Sequence, residues 1–117
     1  MVVYFDPQTP EQIRQNRIEY IKALRAEPNQ CAGELFSYNS CCALGAGYKL
    51  FLGITSMRDV EEYTGNLVKE FTPLINIKEF RWDKEPGISV DDITNMNDAK
   101  GKSLTEIADW LERAWSI

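Results

Sequence analysis

The sequence contains no histidine. That excludes the Cys–His pair, the Ser–His–Asp triad and every histidine general base, so a nucleophile here would have to be activated without imidazole. Cysteine is scarce: the three residues at 31, 41 and 42 include no C-x-x-C pair. A closed zinc site takes four ligands, and three cysteines of which two are adjacent fall short of it, so no metal or other cofactor is expected. Positive charge is also short. Thirteen Lys and Arg against eighteen Asp and Glu leave a net charge of −5. General binding to nucleic acid needs a basic face and is not expected. No apolar run approaches the roughly 20 residues of a membrane span. "MVVYFDP" has neither the basic start nor the long apolar stretch of a signal peptide. The expectation is a cytoplasmic protein, off the membrane, with its cysteines reduced.

What is present suits an ordinary folded domain. Apolar residues make up 44% of the 117, enough for a core without a metal or disulfide, and the whole of 1–117 reads as a single compact domain. Helix starts are well marked. Thr9-Pro10-Glu11-Gln12 combines a capping Thr, Pro at the first helical position and Gln three after the cap. Ile13, Ile18, Tyr20, Ile21 and Leu24 follow as an apolar face, and Pro28 stops the helix. "VVYF" before it reads as a short strand or an apolar arm, and Glu34 to Tyr38 as a short strand or hairpin arm.

Ser56 caps a helix carrying Val60, Tyr63, Leu67 and Phe71, which should end before Pro73. "LINIKEFRW" (74–82) fits neither period and reads as a short helix or strand. Ser89 opens another helix with Val90, Ile93 and Met96 on one face. Ser103-Leu104-Thr105-Glu106 is a full capping box. The stripe Leu104, Ile107, Ala108, Leu111, Ala114 and Trp115 follows it, with Trp110 at the edge. The fold class is therefore mainly α, with about five helices; the alternative is α+β with a small element of about two or three strands.

Two stretches stand out. In "NSCCALGAGYKLFLG" (39–53), Ser40 could cap a helix from Cys41 to Leu52, with Gly53 just past its end. Lys49 is its only charge, so this helix should be central and buried. Gly45 and Gly47 cost helix propensity and imply close approach of another backbone. Cysteines there act as small hydrophobes. The functional alternative is a Cys42 thiolate activated by the helix start. The second stretch is "ITNMNDAKGKSLTEIADWLE" (93–112), where Asn97, Asp98 and Gly101 make a polar turn between two helices. It is either a corner or a ligand-facing loop. Lys100 and Lys102 stand where a calcium loop needs oxygens, and "GKS" lacks the rest of a phosphate loop.

Other chemistry is weaker. Glu61-Glu62 and Asp91-Asp92 read as solvent-facing or helix-start carboxylates. "KEFRWDKE" (78–85) interleaves aromatics with charges and could stack a base, although core packing suits it better.

"CCALGA" (41–46), with the late N-D-x-x-G turn and final amphipathic helix, resembles a family of small uncharacterised proteins of bacteria and their phages. The family pattern is an x-C-A-L-G-A helix start followed by that turn. The positions that match it are Gly33, Cys42, Ala43, Leu44, Gly45, Ala46, Asn97, Asp98 and Gly101. The resemblance implies a domain and a bacterial, phage or mobile-element setting, and no activity. The functional expectation is a non-catalytic binding protein that holds a basic host protein or a small ligand, with Asn97, Asp98, Gly101 and Cys42 as its candidate ligand-binding residues. The alternatives are a small-molecule enzyme using carboxylates and Cys42, and an oligomeric structural protein with Trp110 and Trp115 at a homo-oligomer contact.

Overall fold

A computed structural model describes residues 2–78 and 87–117. Among them, the helices are α1 (Pro10–Ala26), α2 (Ala43–Leu52), α3 (Met57–Glu62), α4 (Leu67–Ile75), α5 (Val90–Asn97) and α6 (Leu104–Ala114). One antiparallel pair, β1 (Phe36–Ser37) and β2 (Ser40–Cys41), faces Phe36 to Cys41 and Ser37 to Ser40. The protein is mainly α with a small β element. None of these helices is long and apolar enough to cross a membrane.

Helix α2 sits at the centre, packed by α1, α4 and α5, while α6 lies mainly along α1. Every residue from Ala43 to Tyr48 is buried, and Lys49 alone reaches solvent among the neighbours of that run. The two glycines make this possible. A Cβ on Gly45 would collide with the backbone carbonyl of Leu35, and one on Gly47 would meet the Phe71 ring at 2.5 Å. Gly45 therefore admits a backbone and Gly47 an aromatic ring. Around α2 the rings of Tyr20, Tyr48, Phe51 and Phe71 make a cluster with centroids 5.3–6.5 Å apart, mostly tilted or edge-on, the arrangement that the ring quadrupole favours. The Tyr20 hydroxyl donates to the Ala43 carbonyl at 2.7 Å, so its burial leaves no polar atom unpaired.

Several boundaries differ from the sequence reading. Ser40 belongs to β2, and Cys42 caps α2 in its place. The helix expected from Ser56 to Pro73 is two helices, because Tyr63 turns extended and Asn66 caps a fresh start at Leu67. This split accounts for six helices rather than about five. Pro73 lies inside α4 instead of ending it. The helix continues because Leu74 and Ile75, its last two residues, are buried, which offsets the one hydrogen bond that proline cannot donate. "VVYF" forms no strand. It is an arm held by Asn16 of α1, whose Oδ1 accepts from the Tyr4 N–H at 2.7 Å and whose Nδ2 donates to the Tyr4 carbonyl at 2.9 Å. Of 74–82, Leu74 and Ile75 complete α4, Asn76 caps it in a left-handed turn, Ile77 is buried and Lys78 bridges Ser89; 79–82 lie outside the described residues. Ala114 is exposed, off the buried stripe of α6.

Candidate functional site

The two motifs singled out in the sequence meet in space. Asn97, the last residue of α5, is buried and uses its whole amide. Its Oδ1 accepts from the Ala43 N–H at 3.0 Å, the first residue of α2, and from Gln30 Nε2 at 2.8 Å. Its Nδ2 donates to the Cys31 carbonyl at 3.0 Å and to Asp98 Oδ1 at 2.7 Å. Asp98 Oδ1 also accepts from the Gly33 N–H at 3.2 Å. Gln30 Nε2 makes a second bond, to the Lys102 carbonyl at 2.8 Å. One side-chain amide thus ties α5, the start of α2 and the 30–33 segment together. The corner is joined by direct bonds, with Asn97 facing inward and Asp98 and Gly101 at its exposed edge. Gly101 takes φ +60, a left-handed turn.

Cys42 is 8% exposed, and its sulfur accepts the Gly45 N–H at 3.4 Å. Burial pushes its thiol up; the Gly45 and Leu44 N–H groups pull the other way without reversing it. Burial also pushes Cys41 up to about 12, helped by the charge of Glu27. Both thiols therefore stay protonated near neutral pH, and a thiolate is the reactive form. Cys31 is half-buried, and its thiol lies 3.4 Å from the Glu34 carbonyl. No three cysteine or carboxylate side chains are grouped for a metal among the described residues. Beside Cys41, the nearly buried Glu27 carboxylate pairs with Lys49 at 2.9 Å, so the single charge of α2 is answered. Glu61 and Glu62 are exposed on α3, and Asp91 and Asp92 sit in the first turn of α5. The "KEFRWDKE" reading falls, apart from Lys78, outside the described residues.

A second place was not visible in the sequence. The first turns of α1, Asn76 after α4, and Trp115 and Ile117 after α6 enclose a cleft of about 260 Å³. Arg14 and Arg17 project from one face of α1. Arg17 Nε donates to the Ile75 carbonyl at 2.9 Å and Nη2 to the Asn76 carbonyl at 3.2 Å. Its guanidinium lies 4.8 Å from the Trp115 ring centroid, a cation–π contact. A reversed turn fixes that end of the chain: Ser116 is left-handed at φ 54, its N–H reaches the Arg113 carbonyl, and the Ile117 N–H reaches the Glu112 carbonyl at 3.0 Å. The residues involved come from three distant parts of the chain, so no local pattern could have grouped them.

Compared with known proteins, the chain matches no family model, no curated protein and no solved structure.

Proposed function

We propose that this is a non-catalytic binding protein of a bacterial, phage or mobile-element setting, the setting implied by its "CCALGA" and N-D-x-x-G motifs. The state of the thiols carries the reading. Cys41 and Cys42 are the strongest potential nucleophiles on α2 and its approach, and both are buried and held protonated. Cys42 is occupied as a helix cap. Groups that recognise without reacting lie outside: Asp98 at the corner, and Arg14 and Arg17 at the cleft. The concave, arginine-lined cleft favours a small ligand over a basic protein, since cations repel a basic surface.

Two measurements test this. Alkylation of the native protein by iodoacetamide should modify Cys41 and Cys42 only as fast as the protein opens globally. Rapid labelling of Cys42 in the folded state would return the enzyme reading. Native mass spectrometry after incubation in bacterial lysate should show a gain of a few hundred daltons. A gain of a whole protein would replace the ligand with a protein partner. The bare chain alone, across several lysates, would count against binding altogether.

A further inference from the structure

We propose that the cleft between α1, the end of α4 and the C-terminal turn binds a small organic carboxylate with a flat apolar body. This rests on the binding-protein reading and names its ligand class. Arg14 and Arg17 are three residues apart on one helix face, so two like charges share the cleft. No ion pair joins either of them to a carboxylate among the described residues, and Arg14 makes no hydrogen bond there. By contrast Arg25, one turn beyond Lys22 on the same helix, has two carboxylate partners, Asp109 and Glu112. The lining thus holds two arginines and no acidic side chain beside its apolar walls.

The geometry of the arginines selects the anion. Arg17 spends two N–H groups on the carbonyls of Ile75 and Asn76, and its plane rests against Trp115. It is held in place and keeps N–H groups to spare, since a guanidinium has five. Arg14 keeps its entire fork. A planar fork matches a carboxylate in two parallel bonds. Ile13, Trp115 and Ile117 supply the apolar surface for a ring. A volume of about 260 Å³ lies just below the usual range for drug-sized ligands, which suits a single ring system.

The test is a titration of the ¹⁵N-labelled protein with benzoate, with its neutral counterpart benzamide, and with inorganic phosphate. Benzoate should shift the amides of Ile13 to Arg17 and Asn76 and the Trp115 indole N–H, and the shifts should saturate. Benzamide should bind at least about tenfold more weakly, the loss expected when a charge-assisted pair is removed. Arg14→Gln should weaken benzoate by about tenfold with an unchanged melting temperature, because Arg14 makes no hydrogen bond or ion pair among the described residues. Equal binding of benzamide, or of phosphate, would overturn the carboxylate or the apolar body respectively. Saturation elsewhere, or none, would overturn the cleft. A ligand from lysate that binds Arg14→Gln and the unaltered protein equally would do the same while leaving the binding reading intact.

Discussion

Asn97 shows how one side chain can hold a corner. Its four hydrogen bonds leave no atom of the amide for a ligand, so its loss is felt first as stability. Asn97→Ala should cost about 2–4 kcal/mol in urea unfolding, because the buried Ala43 N–H and the Cys31 carbonyl lose their partner. Asn97→Asp should cost more despite its near-identical shape, since it would turn a carboxylate oxygen toward the Cys31 carbonyl and Asp98. An Asp variant as stable as the parent would show that the amide donor is unimportant. Cys42 makes the complementary point. A serine there would bury a hydroxyl, and the Gly45 N–H stands ready at the cap to donate to it. Cys42→Ser should therefore stay within about 1 kcal/mol of the parent, while Cys42→Ala should lose about 1 kcal/mol more with the cap. Thermal melts of the two variants decide between capping and simple packing.

At the scale of elements, α2 is built against its own propensity. Alanine at Gly45 would raise intrinsic helicity by up to about 1 kcal/mol, yet the Leu35 carbonyl occupies the space. Gly45→Ala should be net destabilising by about 1–3 kcal/mol, since a backbone cannot move aside as a side chain can. A melting temperature above that of the parent would show that the 30–35 segment is loosely held. The same logic explains why α3 and α4 could not be told from one helix. Val60, Tyr63, Leu67 and Phe71 keep a helical spacing across the break, and only the extended Tyr63 and the Asn66 cap reveal it. The capping box at Ser103 was legible because it is complete within four residues and is formed as written, whereas Ser89, read only as a helix start, turns out to form a box with Asp92 as well.

For the whole molecule, the buried acids set the alkaline limit of stability. Cys41 is pushed from 9.0 to about 12 and Tyr48 from 10.0 to about 12, each chiefly by burial. Tyr20 is raised well above its ordinary value for the same reason. Folding keeps these groups protonated where the unfolded chain would release the proton. Their contribution is thus complete below about pH 9 and is lost as pH rises toward 12. The melting temperature should be flat near neutrality and fall above pH 9, and Cys41→Ala should flatten the first part of that fall relative to its own neutral value. An unchanged slope in that variant would mean that the tyrosines or surface charge dominate. At the same scale, Arg25 clasps Asp109 and Glu112 and joins α1 to α6, but these side chains are largely solvated and the pair adds little.

The mainly helical class, most helix starts and the burial of α2 could be read directly from the chain. Each depends on residues within a few positions of one another, such as a Ser with its N3 partner or an unbroken apolar run bearing one lysine. The neighbours of those elements could not be read. Asn97 reaches residues more than 50 positions away, and so does Arg17 in reaching Asn76 and Trp115. Such contacts depend on how helices cross rather than on local spacing. Whether an asparagine faces a ligand or the protein's own backbone, and whether two arginines find carboxylates or stand beside a tryptophan, was decided by the packing of α1 against α2, α4 and α6.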